Sequence, residues 1–312
     1  MNAIHKKVGE LFIRGLIVAN YGHHFLVETL EGQRLICHSR GKKSLAVVGD
    51  RVLWQASTDE GTIEKIEERR NLFYRQDEVR TKSFAANLDQ VLILLAAEPE
   101  FSSNLLSRAL IAAEAQHIMP IIALNKSDLT APFERAWDWL EPYRQMHYGV
   151  LPLSLKHAGD TDRTELLKLL NGKTTLVLGP SGAGKSTLIN LLAPGALAQT
   201  SEISHALNAG KHTTTSTTWY WVDDAKTTAL IDSPGFQVFG LNHIDPAQLA
   251  AYMPDLKPHV FNCKFYNCSH LHEPGCGVMA AVKSGGKEDG ISANRYKIYS
   301  DLYAELSQAK KY

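Results

Sequence analysis

The chain has 312 residues, of which 44% are hydrophobic and 21% are charged, and its formal net charge is zero. A chain of this length and composition is typical of a globular protein with room for two or three domains. The balanced charge gives no support for a protein that attracts nucleic acid or membrane through its overall field. No apolar run approaches the length of a membrane helix, so we predict no membrane partner and a cytoplasmic location.

Residues 1–70 have the pattern of short β-strands separated by turns. Strands are predicted at 15–28, 34–38, 50–55 and 62–66. Many short strands at close spacing are typical of a small barrel, and an OB-fold fits the size. The basic loop at 40–43 is suited to contact with phosphate groups, but it fits a solvated turn equally well.

Residues 67–86 are polar and charged, and we assign 71–86 as a linker. From residue 87 onward, apolar strands alternate with helices, which predicts an α/β domain over 87–245 with a parallel-type sheet and helices on both faces. Strands are predicted at 90–96, 120–124, 150–154, 174–178, 217–222 and 227–231, and helices at 103–116, 132–148 and 186–192. Asp162 and Glu165 have the spacing of a capping box at the start of a further helix, which Gly172 ends.

The stretch at 174–187 carries the most specific motif of the chain. It reads TTLVLGPSGAGKST, in which a β-rich run leads into G-x-x-x-x-G-K-S and then into a helix-compatible run. This is the context of a phosphate-binding loop, where backbone N–H groups and a helix N-terminus surround phosphate oxygens. We expect Lys185 to reach the β- and γ-phosphates and Ser186 to bind Mg²⁺. The predicted nucleotide-binding residues of this loop are Gly179, Pro180, Ser181, Gly182, Ala183, Gly184, Lys185, Ser186 and Thr187.

A second motif, which reads NKSD at 125–128, follows the strand predicted at 120–124. Ligands of open α/β sheets bind at such strand ends. An aspartate there can accept hydrogen bonds from guanine N1–H and the 2-amino group, whereas adenine would leave the carboxylate unpaired. We therefore predict that Asn125, Lys126 and Asp128 select guanine and that Ser154 forms a second wall of the base pocket.

The stretch DSPG at 232–235 follows the strand predicted at 227–231 in the same way. Asp232 would hold Mg²⁺ through water, and the Gly235 N–H would meet the γ-phosphate. In an ordinary small GTPase the phosphate loop comes first and the Asn-Lys-x-Asp element comes late, whereas here their order is reversed. Because domain termini often lie close together, the same sheet can be built with its ends joined and its chain cut elsewhere. We therefore predict a circularly permuted GTPase domain.

Three of the four cysteines lie between residues 263 and 276, which favours a metal site over a disulfide framework. Cys263, Cys268, His270 and Cys276 form a Cys₃His set, which is typical of structural zinc and leaves no open position for catalysis. We predict one structural zinc ion per subunit in a helical C-terminal domain over 246–312. His272 stays open as an alternative fourth ligand.

An N-terminal OB-like barrel, a permuted GTPase domain and a C-terminal Cys/His cluster together resemble the ribosome small-subunit-dependent GTPase A family (RsgA, also called YjeQ). The resemblance spans essentially the whole chain and includes the segment GKHTTT at 210–215. It implies a GTPase that binds the small ribosomal subunit and its rRNA, acts late in maturation of that subunit, and is stimulated by the ribosome. We expect a monomer that binds GTP and GDP.

Two further catalytic residues are predicted beside Lys185. A threonine of the segment 210–215 should bind Mg²⁺ with the triphosphate, and among three consecutive threonines we select Thr215. Phe236 follows the DSPG stretch, where many GTPases place a glutamine that orients the attacking water. Because phenylalanine cannot hydrogen-bond that water, intrinsic hydrolysis should be slow. We select His212 as the nearest candidate in sequence, either to position the water or to contact a phosphate. A solvent-facing His212 without a role is an equally good interpretation.

Three other functions fit parts of the sequence. An RNA-binding module that holds GTP structurally and barely hydrolyses it fits the barrel and the metal cluster. An ATP-dependent enzyme of the kinase type fits the phosphate loop but not the guanine motif. Zinc-finger recognition of DNA fits poorly, because the cluster lacks C₂H₂ spacing and the chain is neutral.

Overall fold

A computed structural model describes most of the chain. The described residues are 5–7, 10–40, 45–57, 60–157, 160–195, 216–234, 236–237, 239–283 and 290–309. Three regions follow one another: a β-barrel, an α/β sheet and a helical C-terminal region. Within these residues, no helix is long and apolar enough to cross a membrane.

The N-terminal region is a closed five-stranded barrel. Its strands are β2 (Glu10–Tyr21), β3 (His24–Thr29), β4 (Arg34–Ser39), β5 (Arg51–Ala56) and β6 (Gly61–Ile66), and a short β1 (His5–Lys7) pairs with β2. The order β2-β3-β4-β6-β5 closes because β5 also pairs with β2, and only the β4–β6 pair is parallel. The predicted barrel is confirmed, although the strand predicted at 15–28 is two strands joined at Gly22, whose φ is +85°.

The segment predicted as a linker, 71–86, is a folded β-hairpin. Strands β7 (Leu72–Gln76) and β8 (Thr81–Ala86) are antiparallel, and Phe73 and Phe84 are buried between them and the rest of the chain. Bridges from Ala85 to Val48 of the barrel and from Gln76 to Leu241 tie the hairpin to both sides. Polar and charged residues together outnumber the apolar ones here, so the sequence pattern did not indicate the two strands.

The central sheet runs in the order β11-β10-β9-β12-β14-β13. Its strands are β9 (Gln90–Ala96), β10 (Met119–Asn125), β11 (Gly149–Pro152), β12 (Thr174–Leu178), β13 (Thr217–Trp221) and β14 (Ala229–Asp232). The pairs β11–β10, β10–β9, β9–β12 and β12–β14 are parallel. Strand β13 pairs with β14 in the antiparallel direction. Strand β13 also pairs with β2, so the sheet continues into the barrel.

Helices cover both faces of this sheet, as predicted. Helices α1 (Ser103–Ala115), α2 (Thr130–Trp139) and α3 (Glu141–Gln145) share a core with one face, and α4 (Asp160–Leu170) and α5 (Lys185–Leu192) share a core with the other. The buried strand β9 shows the division, because Ile93 and Leu95 face the first core and Leu92 and Leu94 face the second.

Two helix predictions need correction. The single helix predicted at 132–148 breaks at Leu140, because Pro142 has no N–H with which to continue the hydrogen bonds of α2. The helix predicted to open with a capping box at Asp162 already begins at Asp160. Asp162 lies inside α4, and its Oδ2 accepts a hydrogen bond from the Ser154 backbone N–H at 3.2 Å. Gly172 ends this helix with φ of +68°, as predicted.

The C-terminal region packs on the α1 side of the sheet. It contains a 3₁₀ helix (Pro246–Tyr252) and helices α6 (Lys257–Val260), α7 (Gly277–Lys283) and α8 (Ala293–Ala309). Arg295 of α8 is 4% exposed and donates two hydrogen bonds to the Asp255 carboxylate, at 2.7 and 3.0 Å. A third nitrogen donates to Ser107 Oγ of α1 at 2.7 Å. One buried guanidinium therefore joins α8, the loop before α6, and the nucleotide domain.

We predict that Arg295→Ala lowers the free energy of unfolding by about 3–5 kcal/mol, because it leaves the Asp255 carboxylate without its partner in a mostly buried place. Urea unfolding measures the change. The matched control is Lys297→Ala on the same helix, whose exposed pair with Asp301 should contribute about 0.5 kcal/mol or less. Equal effects of the two substitutions would show that Arg295 does not anchor the C-terminal region.

Candidate nucleotide site and metal cluster

The phosphate loop lies between β12 and α5, as predicted. Helix α5 starts after Gly184, whose φ is +105°, and no side chain of the described residues caps it. Its first N–H groups therefore remain available to an anion. Lys185 Nζ donates to the carbonyl oxygens of Gly179 and Pro180, at 2.6 and 3.1 Å, so its ammonium lies across the loop. Burial lowers the pKa of Lys185, and the charge of Asp232 partly offsets this.

Asn125 joins the phosphate loop to the guanine motif. The side chain is 4% exposed, its Nδ2 donates to the Ala183 carbonyl at 2.8 Å, and its Oδ1 accepts from the Leu155 N–H at 3.0 Å. A Cβ at Gly184 would lie 2.5 Å from Asn125 Nδ2, so the close approach of the two loops requires glycine. The loops that follow β10, β11 and β12 are therefore held together by one amide.

Asp128 is exposed to solvent beside this junction. Its Oδ1 accepts a hydrogen bond from Ser154 Oγ at 2.7 Å, and this bond is the main reason why the pKa of Asp128 lies below its ordinary value. The carboxylate is thus held in the ionised form that a guanine base requires of an acceptor. The structure thus brings Asp128 and Ser154 together, and it adds His157, whose Nε2 lies 3.8 Å from Asp128 Oδ2.

Lys126 adopts φ of +69°, and its Nζ donates to the Glu98 carbonyl. The sequence analysis missed Glu98 and His157. Glu98 comes shortly after the end of β9, the central parallel strand, so its place at the ligand-binding edge was a usable signal. For His157, nothing in the sequence distinguished it from an ordinary loop histidine.

Asp232 ends β14 next to the phosphate loop. It is 7% exposed, and its Oδ1 is buried without a hydrogen-bond partner among the described residues. Burial raises the pKa of Asp232, and the charge of Lys185 counteracts the rise. A buried carboxylate oxygen with no partner fits a water-mediated magnesium ion, the chemistry predicted for this position. Ser186, the other predicted ligand among the described residues, is exposed at the start of α5.

Three predicted site residues lie outside the described residues, namely His212, Thr215 and Gly235. The roles assigned to them stay predictions. Phe236 is described and is 3% exposed, and its ring packs against Phe239 with centroids 6.1 Å apart. The side chain at this position belongs to the core, so it supplies no polar contact to an attacking water.

The predicted zinc ligands converge in the C-terminal region. One ligand atom from each of Cys263, Cys268, His270 and Cys276 lies within 4.8 Å of every other. Cys263 Sγ is 3.4 Å from His270 Nδ1, while His272, the open alternative, is exposed and lies outside this group. Three thiols and an imidazole at these separations match the donor set of a closed tetrahedral zinc site.

Side chains around the cluster fix its shape. Glu273 accepts hydrogen bonds from the Ser269 N–H and hydroxyl, at 2.9 and 2.6 Å, and these bonds order the turn between Cys268 and His270. Tyr296 and Tyr299 of α8 donate to the carbonyl oxygens of His270 and Ser269, at 2.8 and 2.9 Å. Helix α8 therefore supports the cluster as well as the contact with α1. Outer partners of this kind orient metal ligands.

Comparison with known proteins identifies the family. The family model described as RsgA GTPase matches residues 66–242. A protein of Variovorax paradoxus (strain S110), named small ribosomal subunit biogenesis GTPase RsgA, is 73% identical over 296 residues, which cover 95% of this chain and 93% of the relative. A protein of the same name from Burkholderia pseudomallei (strain 1710b) is 50% identical over 297 residues, with the same coverage of both chains. This chain belongs to the RsgA GTPase family.

Two solved structures from the family's fold agree with this assignment. YjeQ from Thermotoga maritima is 30% identical and has a TM-score of 0.71, with 95% of this chain and 99% of that one covered. YloQ, described as a circularly permuted GTPase, is 26% identical and has a TM-score of 0.67, with 97% and 98% covered. The predicted family and permuted fold are confirmed, and the chain is a GTPase.

The base pocket yields a test of guanine selection. Asp128→Asn replaces an acceptor with a donor that faces the guanine 2-amino group, so GTP affinity should fall by about 10- to 100-fold. Xanthosine triphosphate, which has a 2-oxo group, should bind the variant better than the parent. Isothermal titration measures both, and Asp138→Asn, exposed on α2, serves as the control. An unchanged preference for GTP would remove Asp128 from the base pocket.

A test of the metal cluster separates His270 from His272. His270→Ala should abolish the zinc content of the purified protein and unfold the turn at 263–276, because a structural site contributes its binding free energy to folding. His272→Ala should retain the metal. Elemental analysis and circular dichroism measure these outcomes. Nucleotide affinity should survive in both variants, because sheet strands hold the site; its loss together with zinc would contradict the assigned domain boundary.

Proposed function

We propose that this chain binds the small ribosomal subunit with GTP, contacts its rRNA late in maturation, and leaves after hydrolysis. The Variovorax and Burkholderia relatives described above are both named small ribosomal subunit biogenesis GTPase RsgA. The chain is accordingly a GTPase of small-subunit biogenesis. The observation that carries the proposal is the set of hydrogen bonds made by Asn125 and Asp128. These bonds join the predicted guanine pocket to the phosphate loop. The domain that contains both follows the barrel in the chain and precedes the metal cluster.

Magnesium and zinc have separate roles in this proposal. Ser186 and Asp232 would hold Mg²⁺ beside the phosphates, with Thr215 as the switch ligand, and the ion would supply positive charge to the transferred phosphoryl group. Lys185 would share that task, and His212 would orient the attacking water. One zinc ion, held by the Cys₃His cluster, would maintain the fold of the C-terminal region.

An exposed aromatic surface beside the metal cluster supports RNA contact. Phe261 is 85% exposed, Tyr266 is fully exposed, and Phe265 is partly exposed with the Lys264 ammonium 5.7 Å from its ring centre. Unpaired bases stack on such rings, and a nearby cation attracts the phosphates. Because the chain carries no net charge, the attraction to rRNA must come from local patches like this one. The OB-like barrel belongs to a fold that binds oligonucleotides.

The remaining finer features are also proposals. Action on ribosomes places the chain in the cytoplasm. A monomer is expected, because the described residues of one chain bring together the guanine motif, the phosphate loop and the four residues of the metal cluster.

Co-sedimentation with separated ribosomal subunits tests the proposal. Small-subunit affinity should be higher with a non-hydrolysable GTP analogue than with GDP, by the roughly 5- to 150-fold usual for coupled sites. Salt is held constant, because phosphate contacts make the affinity salt-dependent. Large subunits are the control and should not bind.

The alternative, an RNA-binding module with a structural GTP, predicts a different result. Its subunit affinity would be equal with GDP and with the GTP analogue, and small subunits would not accelerate turnover. Steady-state phosphate release with and without small subunits therefore decides between the two functions.

A further inference from the structure

The β7–β8 hairpin holds the chain that follows the DSPG stretch. The Gln76 N–H donates to the Gly240 carbonyl at 3.0 Å, and the Asn242 N–H donates to the Gln76 carbonyl at 2.9 Å. The approach is so close that a Cβ at Gly240 would lie 2.4 Å from the Gln76 carbonyl oxygen. Backbone hydrogen bonds at Gly240 and Asn242 thus fix the C-terminal end of this segment to the hairpin.

Lys82 of β8 holds the other end. Its Nζ donates a 2.7 Å hydrogen bond to the carbonyl oxygen of Pro234, across 152 positions of sequence. Pro234 lies two residues after Asp232, the buried carboxylate beside the phosphate loop. The hairpin is therefore bonded directly to the loop that is predicted to meet magnesium and the γ-phosphate.

Aromatic packing joins these two ends. Phe73 and Phe84 of the hairpin have ring centres 5.7 and 5.9 Å from that of Phe239, and Phe239 in turn contacts Phe236. All four rings are buried. A shift of the hairpin would therefore shift the segment after Pro234, because close-packed rings leave little room for independent movement.

The charge at Lys82 is costly in this place. Burial lowers its pKa, and Arg75, directly opposite on β7, lowers it further. Like charges at opposed positions of a hairpin destabilise it. Arg75 Nη1 is itself buried, and no described residue hydrogen-bonds to it. The ammonium is nevertheless held in place, by the Pro234 carbonyl and by the Phe84 ring, whose centre lies 5.2 Å from Nζ.

We propose that Lys82 is a positioning residue for GTP hydrolysis. Through the Pro234 carbonyl it holds the loop that starts at Asp232 in the place that the triphosphate requires. The proposal rests on the assignment of Asp232 to the magnesium and γ-phosphate side of the site. Because GDP lacks the γ-phosphate, GDP binding does not depend on Lys82, whereas the hydrolytic step does.

Steady-state kinetics of Lys82→Met in the full chain tests this role. With small subunits present, kcat should fall by about 10- to 100-fold, as expected when a group at the reacting centre is misplaced by about an ångström. KM for GTP and the Kd for GDP should stay within about twofold of the parent. Lys82→Arg keeps a donor of similar reach and should restore most of kcat.

Two comparisons make the result decisive. Lys82→Gln, whose donor is one bond closer to the backbone, should show the same loss of kcat, and it serves if Lys82→Met does not fold. Lys168→Met, an exposed change on α4, should behave as the parent.

Parental kcat in the Lys82→Met or Lys82→Gln variant overturns the proposal. So does a loss of GDP affinity in step with kcat, because that pattern indicates general unfolding of the site. If the parent chain itself fails to hydrolyse GTP with subunits, the proposed function fails instead.

Discussion

The nucleotide site depends on the two hydrogen bonds of the Asn125 side chain. This amide donates to the phosphate loop and accepts from the loop after β11, so it sets the distance between the phosphate loop and the predicted base pocket. A buried amide can do this only when both of its ends are paired, since an unpaired end would cost about 1–3 kcal/mol. Lys126 and Asp128 belong to the loop that begins at Asn125, so the position of Asn125 determines where both side chains lie. The predicted guanine pocket is thus connected to the phosphate loop by hydrogen bonds within the protein as well as by the nucleotide that both are predicted to bind.

These contacts do not depend on the order of the elements along the chain. The ends of strands β10, β12 and β14 carry the guanine motif, the phosphate loop and Asp232, and the parallel sheet places these ends at one edge whatever the connections between the strands. Permutation changes what is attached to the sheet. The chain now enters the domain from the β7–β8 hairpin and leaves it after Asp232. Both attachments meet at Lys82 and Pro234, so the loop beside the phosphates contacts the entrance to the domain as well as its exit.

Local patterns predicted the parts of the structure that local chemistry determines. The buried strand at 90–96, the strand-loop-helix around Gly179 and the clustered cysteines all have signatures within a few residues. The hairpin at 71–86 was missed because its polar residues find their partners far away in sequence, as Lys82 does at Pro234. The prediction that Asp162 caps a helix was wrong for a similar reason, because its carboxylate accepts a hydrogen bond from the Ser154 backbone N–H. No periodic sequence pattern marks hydrogen bonds of this kind, so they can be identified only in the folded structure.

The charges of the phosphate site explain why nucleotide and metal should bind together. Burial acts against the ionised forms of both Lys185 and Asp232, and each partly relieves the other. Lys185 donates to the carbonyl oxygens of Gly179 and Pro180, while one buried oxygen of Asp232 has no partner within the part of the chain that the structure describes. An anionic phosphate favours the ammonium, and a cation favours the carboxylate. Only a ligand that brings both charges relieves both costs, so the charges of Lys185 and Asp232 favour the magnesium complex of the nucleotide over either component alone.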